Sequence, residues 1–186
     1  MPASPVSPPR PPQEFATLRL AARPPRIEDT PGAFAAYAGS PAVTRFLSWR
    51  AYTDPAALAD FFCGQIHAWE EGGPTLAWLL RLGDAPEPIG SIGVTIEGGK
   101  ALFGYVLGER WWGQGLAAEA LAWLVDWSLG QPEIFRAWAF CDLENRRSAR
   151  VMEKAGLRRE GTLRRWHVCP TLGPELRDCG VYAKVK

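Results

Sequence analysis

The stretch that most restricts what this chain can fold into is residues 105–120, Tyr105-Val106-Leu107-Gly108-Glu109-Arg110-Trp111-Trp112-Gly113-Gln114-Gly115-Leu116-Ala117-Ala118-Glu119-Ala120. A strand-like apolar run passes through Gly113-Gln114-Gly115 into a segment where Ala120, Leu121, Leu124 and Val125 mark one face of a helix ending near Gly130. Without side chains at 113 and 115, backbone amides can approach an anion, and a helix opening there adds unpaired N–H groups carrying about half a positive charge. A bare turn would use the same two glycines. The pattern predicts a strand, loop and helix able to hold phosphate through the main chain.

Residues 76–80, 89–96 and 101–107 form three apolar runs joined by short turns, which makes them neighbouring antiparallel strands. Ahead of them, Asp54-Pro55 caps a helix whose Leu58, Phe61, Phe62, Ile66 and Trp69 recur at helical spacing until Gly72-Gly73. Further upstream, Ala16-Thr17-Leu18-Arg19-Leu20 alternates as a strand, and a turn at residues 26–29 leads to a helix around Ala33 to Tyr37. Downstream, residues 134–141 read as a buried strand and residues 145–155 as a helix closed by Gly156. Two more strands follow from Leu157, split by Thr171-Leu172-Gly173-Pro174. The fold class is mixed α/β, with one compact domain over residues 15–186 of the 186-residue chain. Six prolines among the first twelve residues make 1–14 a proline-rich flexible tail, or a clamp on a partner.

Lys and Arg total 21 and Asp and Glu 20, so no global field exists to hold nucleic acid or an anionic membrane, and an anionic ligand must be held locally. The cysteines, Cys63, Cys141, Cys169 and Cys179, lack the paired spacing of a metal site. Neither an export signal nor an apolar span is apparent, which points to the cytoplasm and reduced thiols.

Gly113, Gly115 and Ala118 also fit the dinucleotide fingerprint G-x-G-x-x-A, with Glu133 or Asp142 as the acidic partner. That motif belongs in the first unit of a parallel sheet, whereas antiparallel strands come first here. A wider set of blocks explains more: Thr17-Leu18-Arg19-Leu20 with Glu28-Asp29, Val43-Thr44-Arg45-Phe46-Leu47-Ser48-Trp49, residues 104–120, Asn145-Arg146-Arg147-Ser148 with Met152-Glu153-Lys154-Ala155-Gly156-Leu157, and Leu176-Arg177-Asp178-Cys179-Gly180-Val181-Tyr182. In this order, from about residue 15 to the end, they resemble the GNAT acyltransferases, specifically the RimJ/RimL-like branch that acetylates protein N-terminal amines.

The resemblance implies a GNAT fold: a mixed, mostly antiparallel six- to seven-stranded sheet with a central splay, flanked by about four helices. It implies acetyl-CoA as cofactor and a primary amine as acceptor. The family's loop Q/R-x-x-G-x-G/A falls on Trp112, Gly113, Gln114, Gly115, Leu116 and Ala117, and Trp112 departs from it by removing a cation while leaving the amides. By the same resemblance, Gln114 to Ala117 bind pyrophosphate, while Tyr105, Val106 and Leu107 pair with the pantetheine arm like an added strand. That pairing requires the 134–141 strand to part from the 101–107 strand. Asn145 would touch the pantetheine arm and Ser148 would lie near the sulfur; helix capping would also account for both residues.

Acetyl transfer needs a neutral amine, a donor for the carbonyl oxyanion and a proton for the leaving thiolate. His167 is the candidate base, standing where the RimL-like pattern often has glutamate, with Glu160, Asp178 or ordered water as alternatives. A strand N–H near Val106 or Leu107 would serve the oxyanion. Ser148, or else Tyr182, would protonate the thiolate. The resemblance brings Phe46, Trp49, Tyr52, Trp166 and the 170–175 turn together as the acceptor cleft, and the nine tryptophans also fit core packing, Trp123 and Trp127 above all. A protein or peptide N-terminal α-amine is the expected acceptor. A small amine such as an aminoglycoside or polyamine, a non-catalytic acyl-CoA-binding module and a homodimer stay open.

Overall fold

A computed structural model of the chain describes residues 9–186. Eight strands form one sheet in the order β1-β2-β3-β4-β5-β6-β8-β7. They are β1 (Phe15–Ala16), β2 (Leu20–Arg23), β3 (Thr75–Leu82), β4 (Pro88–Glu97), β5 (Lys100–Leu107), β6 (Arg136–Asp142), β7 (Arg158–Val168) and β8 (Leu176–Val185). The helices are α1 (Thr30–Ala33), which runs into a π-helical turn over Phe34–Ala38, then α2 (Pro41–Thr44), α3 (Pro55–Glu71), α4 (Leu116–Gly130) and α5 (Arg146–Lys154).

The eighth strand arises where the alternating run 16–20 breaks. The Thr17 amide donates to the Leu20 carbonyl, so the expected single strand is a tight hairpin of β1 and β2. Local hydrogen bonding at Thr17 defeats the alternation there: its Oγ1 also accepts from the Leu20 amide. The expected tail differs too. Residues 1–8 lie outside the described residues, but Pro11 is buried and the Pro12 carbonyl accepts from Trp78 Nε1 at 3.2 Å.

The expected caps hold α3: Asp54 accepts from the Ala56 amide, and Gly72 closes the helix at φ 83°. Leu116, Ala120, Leu121, Leu124 and Val125 of α4 are buried in one core with Ile92, Val94 and Phe103 of the sheet. A second cluster joins Tyr37, Val43, Leu58 and Phe62 of the first three helices and their turns to Leu79 of β3. The side chains of Phe103 and Leu107 belong to the first cluster, while Val106 packs on the second, as a period of two requires. Thus α4 and α5 cover one face of the sheet around β5, and α1 to α3 the other.

The two central strands are parallel and pair at only three positions, Lys100↔Arg136, Ala101↔Ala137 and Leu102↔Trp138. Beyond them β5 stays paired with β4 up to Gly90↔Leu107, and β6 stays paired with β8 up to Asp142↔Cys179. Each strand keeps its outer partner while the two part from each other. Among the described residues, no helix is long and apolar enough to cross a membrane.

Candidate active site

The parting of β5 from β6 frees a short edge of backbone. Successive residues of a strand turn their polar groups to opposite neighbours. The Gly108 amide bonds to Ile89 on the β4 side, and the Leu107 carbonyl accepts from Trp112 Nε1 at 2.7 Å on the other. Odd-numbered residues therefore face the opening: Phe103, Tyr105 and the Leu107 amide. Val106, expected to pair with a ligand, turns its backbone to β4; a Cβ built on Gly90 would lie 2.2 Å from the Val106 carbonyl oxygen. The strand's own alternation corrects that expectation. Val106 contributes its side chain to the opposite face.

At the mouth of the opening the chain turns through Gly113 (φ 77°) and Gly115 (φ 80°), left-handed conformations that glycine adopts without steric cost. Gly115 is the N-cap of α4 and supplies no side-chain bond to the helix. The first α-helical bond at this end comes from the Glu119 amide to the Gly115 carbonyl, so the amides of Leu116, Ala117 and Ala118 lack helical partners. The loop is braced from outside. Gln114 donates to the Arg110 carbonyl and accepts, through its own carbonyl, from Arg19 Nη1. Arg19 also pairs with Glu119 at 2.7 Å. Burial pushes the Glu119 carboxyl up, but hydrogen bonds from Thr17 and Arg19 outweigh it and hold the group below its usual range. Uncapped amides in a braced loop fit a diphosphate.

Across the opening, α5 presents Asn145 and Ser148. Asn145 caps the helix, accepting from the Ser148 amide at 3.1 Å. Its carboxamide oxygen is thereby engaged, and the amide nitrogen has no protein partner among the described residues. Ser148 Oγ lies 2.7 Å from the Tyr105 hydroxyl, which also donates to the Ser148 carbonyl at 3.0 Å. This bridge between β5 and α5 was not legible in the sequence, because nothing in the spacing of 105 and 148 brings them together. Burial is the main cause that raises the Tyr105 hydroxyl well above its ordinary value, so it stays protonated as a donor. The neighbouring Cys141 thiol is pushed up to about 11, chiefly by burial, and stays protonated at neutral pH. Tyr182 is buried under the same face, its hydroxyl also raised by burial.

On the opposite face, the expected acceptor residues fall into two groups. Trp49 and Tyr52, with ring centroids 5.4 Å apart, pack on the cluster that holds Val106 of β5. Trp166 and His167 both meet Phe140 of β6 edge-on, at 6.2 and 5.2 Å. The two groups belong to the two parting strands. Gly104 lies on the same face of β5, and a Cβ built there would meet nothing within 4 Å. Phe46 meets the far turn through its backbone, its carbonyl accepting from Cys169 Sγ at 3.6 Å.

A three-residue irregularity sets the aim of Trp166 and His167. Between Leu163↔Cys179 and His167↔Arg177 the strand carries an excess, with Arg165 at φ 48° and its amide bonded to Asp178 Oδ1 at 2.8 Å. The His167 pKa is lowered, mainly by burial and partly countered by Asp142, so the ring is a neutral acceptor at neutral pH. All three carboxylates of β6, β7 and β8 are already engaged: Asp142 with Arg177, Glu160 with Arg136, and Asp178 with the Arg165 amide. That disfavours Glu160 and Asp178 as bases. A cavity of about 370 Å³ between α5 and β8 includes neither His167 nor the loop.

A family profile described as the acetyltransferase (GNAT) domain matches residues 19–158. The uncharacterized N-acetyltransferase p20 of Bacillus licheniformis is 28% identical over 151 residues, which cover 80% of this chain and 84% of that protein. Among solved structures, the microcin C7 self-immunity acetyltransferase MccE in complex with acetyl-CoA and AMP superposes with a TM-score of 0.81 at 17% identity, covering 91% of this chain and 93% of that one. RimL, the ribosomal L7/L12 alpha-N-protein acetyltransferase in complex with coenzyme A, gives 0.78 at 21%, covering 91% and 95%. At such identities the structural likenesses speak for the fold.

Proposed function

The chain belongs to the GNAT family of acetyl-CoA-dependent acyltransferases, and from that premise we propose that it acetylates a protein or peptide N-terminal α-amine. The observation that carries the reading is the opening between β5 and β6 after three residue pairs, with an uncapped helix start at its mouth. Acetyl-CoA, when bound, supplies the activated thioester. The amides of Leu116, Ala117 and Ala118 would face its pyrophosphate, and the freed backbone of Tyr105 its pantetheine arm.

The remaining roles fall to residues already placed. His167, neutral and seated against Phe140, accepts the proton that the attacking amine gives up. The Leu107 amide, aimed into the opening, stabilises negative charge on the carbonyl oxygen. Ser148 passes its hydroxyl proton to the leaving sulfur while taking one from water, and Tyr105, 2.7 Å away, holds that hydroxyl in place. An α-amine, with an unperturbed pKa of about 8, sheds its proton more readily than a lysine amine at about 10.4, so it asks less of the base.

The acceptor side supports a single amine rather than a polycation. Asp142 and Glu160 are neutralised by Arg177 and Arg136, which leaves Asp178, held by a backbone amide, as the one carboxylate on those strands to pair with extra charges of a polyamine or aminoglycoside. The test is mass spectrometry of products after incubation with acetyl-CoA and a mixed library of peptides and small amines. Acetylated peptide N-termini support the reading. Acetylated small amines with untouched peptides would replace it, and coenzyme A binding without any product would make this a binding module.

A further inference from the structure

We infer that Arg147 supplies, from α5, the cation that the loop at 113–115 lacks, so that the phosphates of coenzyme A are held between the start of α4 and a guanidinium on the far side of the opening. The inference rests on the reading above that this loop takes the pyrophosphate.

The loop's first position is the aromatic Trp112. Trp112 is committed to its place: its Nε1 donates to the Leu107 carbonyl, which ends the free edge of β5, and its ring packs against both core clusters. A ring so fixed offers a face to the opening, and the Arg147 guanidinium carbon stands 4.7 Å from its centroid. Trp112 thus does not replace the missing charge; it seats one brought from another element.

Charge pairing separates Arg147 from Arg19, and placement separates it from Arg110, whose guanidinium lies over Trp111 instead, 5.8 Å from that ring. Arg19 is neutralised by Glu119 and spends a further N–H on the Gln114 carbonyl. Arg147 has no carboxylate partner among the described residues. Glu144, close by in sequence, pairs with Arg177. Trp112, on which Arg147 stacks, stands three residues ahead of the N-cap of α4, whose first three amides are unpartnered, so the positive end of that helix and a cation meet at one loop. The complement to that arrangement is a ligand with adjacent anionic oxygens. Its binding would tie β5 and α4 to β6 and α5, the two halves that separate beyond Leu102 and Trp138.

The experiment is isothermal titration of the full chain with coenzyme A, dephospho-coenzyme A and pantetheine, for the parent, Arg147→Gln and Arg147→Lys. The expected result is a loss of about tenfold in affinity for both nucleotides in Arg147→Gln, the scale of one charge-assisted contact, with pantetheine affinity unchanged. Arg147→Lys should recover part of the loss, because it restores charge but not the flat stack on indole. Equal affinity of parent and Arg147→Gln for coenzyme A overturns the inference. So does a loss confined to coenzyme A, which would assign the residue to the ribose phosphate, or an equal loss with pantetheine, which would make it structural. A parent that gives no heat with coenzyme A overturns the functional reading and this inference together.

Discussion

The two sides of the central opening are made differently. The side proposed for the cofactor uses the main chain of one continuous stretch: the β5 edge at Tyr105 and Leu107, two left-handed glycines and the uncapped amides of α4. The side proposed for the acceptor is built from side chains delivered by separate segments, Trp49 and Tyr52 from the connector after α2 and Trp166 and His167 from an irregular β7. Backbone recognition suits a ligand whose gripped part never varies, since it asks only for glycine and a helix start. Side-chain walls can be changed one residue at a time, which suits a variable acceptor.

Substitutions should separate the two sides, and the largest effect belongs to the main-chain side. Gly115→Val adds roughly 1–2 kcal/mol of left-handed strain and fills the approach to the amides, so coenzyme A affinity should fall by about 100-fold or more in calorimetry. A near-parental affinity in a folded variant would break the comparison. Next comes His167→Ala, expected to lower kcat by about 100-fold, the low end for a general base, with coenzyme A affinity unchanged. Because burial depresses the His167 pKa, the parent's kcat should rise with pH through a midpoint below 6.5 and be level above it. The variant should lose that limb.

Ser148→Ala should follow, with turnover down about tenfold and coenzyme A affinity intact, because a thiolate leaves with modest help. Equal turnover would remove Ser148 from the mechanism. The smallest effect is expected at Trp49→Ala, a rise of about threefold in the acceptor KM with no change for acetyl-CoA, since truncating a half-buried aromatic trims one wall. A change in the acetyl-CoA KM instead would place Trp49 on the wrong side of the comparison.

The same contrast explains what could be read from the sequence. Caps and glycines are local signals, and Asp54, Gly72, Gly115 and Gly156 all mark helix ends where expected. The parting of β5 and β6 was legible only as a requirement of the family resemblance. Where reading failed, a neighbour decided. Alternation over 16–20 gives way to the Thr17 hairpin, and the family resemblance groups Val106 with Tyr105 and Leu107 although a strand turns alternate residues away. The Tyr105–Ser148 bridge and the Arg147–Trp112 stack join residues 43 and 35 positions apart, and no periodicity encodes such pairs. The irregularity at Arg165 has no glycine to announce it; its amide is stabilised by Asp178 from the next strand.

In the proposed function, alternate main-chain groups of β5 and the first amides of α4 grip the thioester carrier. Titrating coenzyme A into nitrogen-15-labelled protein and following backbone amides by NMR tests it residue by residue. Large shifts are expected at Tyr105, Leu107 and Gly113 through Ala118, with Val106 nearly still. Saturable binding that leaves those amides unmoved, or that moves Val106 most, would contradict it.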